Sequence, residues 1–135
     1  MLSLMPALDE DPSEATELCK AAHGRLLTTV ATITDEQVSA PSRLPGWTIG
    51  HVLTHLARNA DGHTRRLEGA LRGEDVPRYP GGSSQRETDI SDGAARLPGE
   101  LLEDTRVAQL KLELAWDRSA SANWPHQEFR GNDLW

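Results

Sequence analysis

Residues 44–60 constrain the fold of this 135-residue chain more than any other stretch. A turn signal at Pro45-Gly46 opens an amphipathic helix that we predict over residues 48–72. His51 and His55 lie one turn apart on this helix, which is the arrangement that a helical metal site needs. The apolar arc of the helix contains Ile49, Val52, Leu53, Leu56, Ala60, Leu67 and Leu71, the opposite arc contains Arg58, Asp61, Arg65 and Arg72, and Gly73 is the expected end.

Four further segments carry helical patterns. Asp11 and Glu14 form a capping-box pattern before the first helix, with Pro12 as its first residue, and Thr34 and Gln37 form a second capping box. The segments cover residues 12–33, 34–41, 84–97 and 98–119. The sequence therefore predicts an all-α bundle, and this length suits one domain.

The first and last helices carry apolar stripes that predict how they pack. A single stripe on the first helix should face the core, with Cys19 as a buried, unreactive thiol. The last helix is apolar on two opposite faces, so either a further helix covers its second face, or the 84–97 helix or the C-terminal tail does. The stripe of the first helix consists of Ala15, Leu18, Cys19, Ala22, Leu26, Val30 and Ile33. The first stripe of the last helix consists of Leu101, Ala108, Leu112, Ala115 and Trp116, and its second stripe consists of Val107, Leu110 and Leu114.

Charge and composition exclude several classes of partner. The net charge of -7, from 21 acidic and 14 basic residues, disfavours binding to nucleic acid or to anionic lipid. No segment approaches the ~20 apolar residues of a membrane span, and the N-terminus lacks the basic region of a signal peptide. Cys19 is the only cysteine, so no internal disulfide can form, which fits a reducing cytoplasm.

The turn Leu-Pro-Gly-Trp-Thr at residues 44–48 and the helix that carries His55 resemble the metal-binding N-terminal domain of the mycothiol-dependent maleylpyruvate isomerase family. This family is a branch of the DinB-like four-helix bundles. The resemblance implies a DinB/YfiT-like up-down bundle and one metal-binding domain over residues 1–135. It also extends to Gly73-Glu74, Pro77, Tyr79, Arg86 and Ala115-Trp116.

The same resemblance implies a chemistry. Family members use a divalent metal, usually zinc, to hold mycothiol as a thiolate, since a metal-bound thiol loses its proton. The thiolate isomerises maleylpyruvate or is transferred to electrophiles. The implied partners are therefore a small-molecule thiol and an electrophilic substrate.

His55 corresponds by this resemblance to the family's metal-binding histidine. Its spacing alone would equally suit an ordinary histidine at a helix edge. His51 is placed to share a metal with it, but the resemblance gives it no such role, and its angle toward the charged arc predicts a solvated side chain.

Three other polar residues are candidates for lining the same site. Asn59 and His63 follow His55 at four-residue steps, and we expect them to drift into the bundle, where a structural role is favoured over lining the site. His23 lies at the edge of the first stripe. It either approaches the same cavity or, as we favour, is a buried structural histidine.

Tyr79 and Arg86 resemble the family's tyrosine and arginine near the mouth of the site. An arginine there could grip a carboxylate through two parallel hydrogen bonds. The favoured alternative is that Arg86 forms surface ion pairs with neighbouring acids on its own helix.

The family takes its other two protein ligands from a later Glu-x-x-x-His helix, and no such spacing occurs in these 135 residues. His126 and Glu128 lie two residues apart and do not reproduce it. One histidine is short of the three ligands that catalytic zinc needs, so we expect a bundle that lacks its final helix. Three interpretations stay open: a fragment that is inactive alone, a chain that borrows the helix by self-association through the second stripe of its last helix, and a metal-free interaction module.

Overall fold

A computed structural model describes residues 12–120, which form five helices. No β-strand occurs within this range, so the predicted all-α fold is confirmed. The helices are α1 (Ser13–Val30), α2 (Asp35–Ser39), α3 (Ile49–Leu71), α4 (Gly82–Gly93) and α5 (Pro98–Ala120).

Local signals fix the start of α2 and both ends of α3. Thr34 and Gln37 form the predicted capping box at the start of α2, with the Gln37 amide donating to Thr34 Oγ1 over 3.2 Å. Gly73 follows α3 with a φ of 75°, a left-handed conformation that glycine adopts without strain. At the start of α1, Pro12 is the N-cap residue and not the first helical residue as predicted, and Asp11 of the predicted capping box lies outside the described residues.

Ion pairs show how the long helices run. Arg58 on α3 pairs with Asp104 on α5, and further along both helices Glu68 pairs with Arg118 over 2.7 Å. The helices α3 and α5 are therefore parallel. In contrast, α1 is antiparallel to α5, because Lys20 pairs with Asp117, whereas His23, later in α1, pairs with an earlier residue of α5, Glu113.

Two apolar clusters join the helices. The first lies where the end of α1 meets α2 and the starts of α3 and α5, and the second lies between α3 and α5 further along. The first consists of Val30, Val38, Leu53 and Leu101, flanked by Leu26, Ile33, Ile49 and Leu102; the second consists of Ala57, Ala60, Ala108 and Leu112, flanked by Trp116.

The predicted stripe of α1 is wrong over its first half. Leu18 is 66% exposed, and Ala15, Ala22 and Cys19 are also exposed, so Cys19 is not the buried thiol that the pattern predicted. The cause is the rotation of α1: its polar contacts with α5 turn the neighbouring face, which includes His23, onto that helix. Only the last part of the stripe enters the core.

The first stripe of α5 is buried as predicted, apart from the half-buried Trp116. On its second stripe, Leu110 and Leu114 remain 45% and 47% exposed, and Val107 is half-buried. The helix α4 therefore does not cover this face. Within the described residues, no helix is long and apolar enough to cross a membrane.

The helix α4 approaches the start of α3 very closely. A Cβ atom at Gly50 would overlap the backbone carbonyl oxygen of Ala94, just after α4. Likewise, a Cβ atom at Gly93 would overlap the side chain of Thr54, whose hydroxyl donates to the Gly50 carbonyl over 2.8 Å. Glycine at position 50 lets α3 meet the backbone after α4 directly, and glycine at position 93 leaves room for the Thr54 side chain.

Replacement of Gly50 by alanine should destabilise the protein by about 1–3 kcal/mol, because the methyl group has no room beside a backbone carbonyl. Urea denaturation measures this change. Gly24→Ala on α1 is the matched control: nothing lies within 4 Å of the added methyl, so the better helix propensity of alanine should leave stability unchanged or higher. Equal effects of the two substitutions would contradict the close α3–α4 contact.

Candidate functional site

A tight turn places Trp47 beside the start of α3. The Trp47 amide donates to the Leu44 carbonyl over 3.1 Å, with Pro45 and Gly46 between them and Gly46 at a φ of 78°. This is the geometry of a type II turn, which favours proline and then glycine at its centre. A second bond, from the Ser42 hydroxyl to the Trp47 carbonyl over 2.7 Å, holds the turn against the preceding chain.

His51 is a capping residue, and the prediction of a solvated side chain is wrong. Its Nδ1 accepts the Thr48 amide over 3.1 Å, while its own amide donates to Thr48 Oγ1 over 3.2 Å. Its half-buried ring stacks on Trp47 at 6.2 Å between centroids. The sequence Thr48-x-x-His51 is a capping box with histidine in the place of glutamate or glutamine, and this signal could have been recognised.

His55 lies one turn further on and is half-buried. Its ring centroid is 5.4 Å from that of Trp47. The Arg86 guanidinium, from α4, reaches to 3.4 Å from His55 Nδ1. Burial, and secondly the charge of Arg86, lowers the pKa of His55, so the imidazole is neutral at physiological pH.

Arg86 is half-buried and lies with its guanidinium carbon 6.0 Å from the centre of the Trp47 ring. No carboxylate within residues 12–120 pairs with it, so the favoured expectation of surface ion pairs is wrong. The α3–α4 contact turns Arg86 toward α3 instead. A guanidinium without a carboxylate keeps its capacity to bind an anionic ligand.

Tyr79 belongs to the same neighbourhood. Its half-buried side chain carries a hydroxyl that has no hydrogen-bond partner among the described residues. Burial raises its pKa, and the nearby positive charge of Arg86 opposes that rise. The structure thus brings Arg86 into contact with His55 and places Tyr79 within electrostatic reach of Arg86.

The remaining candidates are placed differently. Asn59 is half-buried on α3, whereas His63 is exposed, so the expected drift of His63 into the bundle is wrong. His23 lies at the α1–α5 contact, with Nδ1 2.9 Å from a Glu113 carboxylate oxygen and its ring stacked on Trp116. Glu113 lies more than two helical turns beyond Asp104, which pairs with Arg58 close to His55, so His23 does not approach His55 and is half-buried in a structural contact.

The charged arc of α3 faces a second feature, an open cleft of about 420 Å³ between α3 and α4. Arg58 pairs there with Asp61 over 3.0 Å and with Asp104, which also binds Arg96 over 2.7 Å. Burial raises the pKa of Asp61 even though Arg58 opposes the shift. Arg58, Asp61, Arg96 and Asp104 thus form one connected ion-pair network at this cleft.

The described residues alone do not fit a metal ion. Within residues 12–120, no three histidine, cysteine, aspartate or glutamate side chains converge on one point. The polar group that faces the Nδ1 atom of His55, at 3.4 Å, is a cation, the Arg86 guanidinium. His126 and Glu128 lie outside the described residues.

The protein is a helical bundle in which α3 and α5 run parallel and α1 runs antiparallel to them. It has a polar site at the start of α3, where a histidine lies beside a tryptophan that a tight turn holds in place. The chain belongs to the family of mycothiol maleylpyruvate isomerase N-terminal domains, whose sequence model matches residues 19–131. The family resemblance seen in the sequence is thereby confirmed.

Solved structures agree on the fold. Crystal structures of the mycothiol-dependent maleylpyruvate isomerase and of a histidine-to-alanine mutant of it each align with a TM-score of 0.81 at 22% identity. Each alignment covers 93% of this chain and 52% of the solved chain, so this chain spans about half the length of those proteins. No curated protein sequence gives a significant match.

Arg86→Gln should raise the pKa of His55, but only in part, because burial is the larger cause of the shift. A folded-state pKa below the unfolded value means that protonation favours unfolding. The contribution of neutral His55 to the free energy of unfolding is therefore fully present above the unfolded-state pKa of about 6.5. It decreases as the pH falls below that value. Titration of the imidazole NMR signals measures the change, with the signals of His23 as an internal control. An unchanged His55 titration in the variant would contradict the Arg86 contact.

Proposed function

We propose that this chain supplies part of a metal- and thiol-binding site in a mycothiol-dependent enzyme that catalyses maleylpyruvate-type isomerisation or thiol transfer to an electrophile. Family membership supports the thiol. The observation that carries the proposal is the group at the start of α3: a neutral histidine, His55, lies against Trp47 and beside the guanidinium of Arg86, which pairs with no carboxylate within residues 12–120.

His55 is proposed as one protein ligand of a divalent metal, with zinc as the best match to an imidazole. Its lowered pKa keeps the ring neutral at physiological pH, so that one of its two nitrogens has a lone pair to donate. The other protein ligands would have to come from outside residues 12–120, since this range holds no complete set.

Arg86 and Tyr79 are proposed to hold the polar parts of the thiol or substrate. A guanidinium binds a carboxylate with two parallel hydrogen bonds, which suits a dicarboxylate electrophile. The Tyr79 hydroxyl, buried without a hydrogen-bond partner among the described residues, can donate to a second oxygen. Trp47 shields one side of His55 from water. Asn59 and His51 are proposed only as neighbours of this site.

We further propose that residues 1–135 act as one domain in the cytoplasm. The net charge of -7 and the reliance on a small thiol both fit a partner set of small molecules without nucleic acid.

A second candidate function is a non-catalytic helical interaction module. The exposed apolar side chains Leu110 and Leu114 favour it, because they lie one turn apart on α5 and a contiguous exposed apolar patch marks an interaction surface. The same surfaces would also serve self-association that completes the site.

Elemental mass spectrometry of size-separated protein tests both functions in one sample. About one zinc per chain or per dimer is expected in the unmodified protein, and its loss is expected in His55→Ala. His63→Ala is the matched control, since it removes an exposed histidine from the same helix and should keep the metal. If the unmodified protein and both variants are folded but none of them contains zinc, the metal site is rejected. The interaction module is then the remaining candidate function.

A further inference from the structure

The outer side of α5 carries an apolar face that the rest of residues 12–120 leaves uncovered. Leu110 and Leu114 lie one turn apart on this face and are 45% and 47% exposed, and the half-buried Val107 extends the face by one turn. The other sides of α5 pack on α3 through an apolar cluster and on α1 through polar contacts. An exposed apolar row on a long helix is suited to packing against another helix.

A cation and an anion border this face on the side of α1. Arg106 lines the groove between α1 and α5 and pairs with Glu103 over 2.7 Å. Asp117 pairs with Lys20 of α1 over 2.8 Å. The side chains of Arg106 and Asp117 are 49% and 59% exposed, so each has room for a second partner of opposite charge. Along α5, the face therefore runs from a cation through two leucines to an anion.

This order is self-complementary in an antiparallel pair of helices. In a two-fold symmetric pair, the same surface is used by both copies, and each side of the face meets the same side of the other copy. The midpoint between Leu110 and Leu114 is residue 112, and the midpoint between Arg106 and Asp117 lies within one residue of it. With the axis at this point, each leucine meets the other leucine of the second copy, and each Arg106 meets Asp117 of the second copy.

The opposite side of the face does not prevent this pairing. Lys111 would approach its own counterpart near the axis, but its charge already acts on Asp61 of α3. Arg118, on the same side, pairs with Glu68 of α3 over 2.7 Å. Both cations are therefore partly balanced within each chain.

We propose that two copies of this chain associate through this face, with the two α5 helices antiparallel, Leu110 packed on Leu114, and Arg106 paired with Asp117 in both directions. The inference goes beyond the proposed metal and thiol site and needs no metal at His55. It also gives the interaction module a partner, a second copy of the same chain.

The dimer is expected to be weak and to form at high protein concentration. Each copy has a net charge of -7, so the two copies repel each other at long range. One helix face is also small compared with the interface of a stable complex. The contact therefore depends on the two leucine pairs and on the local match of charges.

Two charge-reversed variants, measured alone and mixed, test this register by analytical ultracentrifugation. Arg106→Asp and Asp117→Arg each place like charges opposite one another, so each variant alone should be monomeric where the unmodified protein dimerises. An equal mixture restores opposite charges at both ends, so it should associate about tenfold more tightly than either variant alone. A loss of folding in one variant would not produce this rescue, and far-UV circular dichroism checks that both are folded.

Two further variants serve as controls. Leu114→Asp should be monomeric, because it places a charge in the apolar contact. Arg25→Asp reverses an exposed charge on the side of α1 away from α5 and should dimerise like the unmodified protein. An unmodified protein that is monomeric at every concentration would overturn the second copy as the partner. A dimer that persists in Leu114→Asp, or a mixture that associates no better than the single variants, would overturn this interface.

Discussion

The direct approach of α4 to the first turns of α3 is the contact on which the rest of this structure depends. Gly50 and Gly93 remove the side chains that would hold the two backbones apart. The helix α4 can then return antiparallel to α3 and bring Arg86 beside His55. On the other side, the type II turn and the Thr48–His51 capping box fix Trp47 and the start of α3. Backbone geometry therefore sets the positions of all three side chains.

The bundle around this site is covered unevenly. The helix α5 lies between α3 and α1 and is buried against α3 over most of its length, whereas α1 meets it largely through polar contacts. As a result, apolar side chains at Leu18, Leu110 and Leu114 remain exposed. The site is also only partly covered, since His55 and Arg86 are half-buried. Within residues 12–120, no further groups complete a metal centre around His55. The exposed apolar surface therefore suits contact with another helix, and the half-buried polar site suits a ligand.

Local patterns predicted the parts of the fold that depend on neighbouring residues. The capping box at Thr34, the end of α3 at Gly73 and the buried stripe of α5 follow from spacing and turn chemistry alone. The exposure of Cys19 could not be predicted, because contacts with a helix about 90 residues later set the rotation of α1. Similarly, the contact of Arg86 with His55 joins residues 31 positions apart through a backbone approach that no local pattern encodes.

The tautomer of His55 tests the central claim most directly. Long-range ¹H–¹⁵N correlation spectra of the neutral protein distinguish the two ring nitrogens by their chemical shifts. The account predicts that His55 carries its proton on Nε2 and that Nδ1 has the shift of a hydrogen-bonded acceptor, as Arg86 requires. A proton on Nδ1 would contradict it, because two donors cannot share this contact.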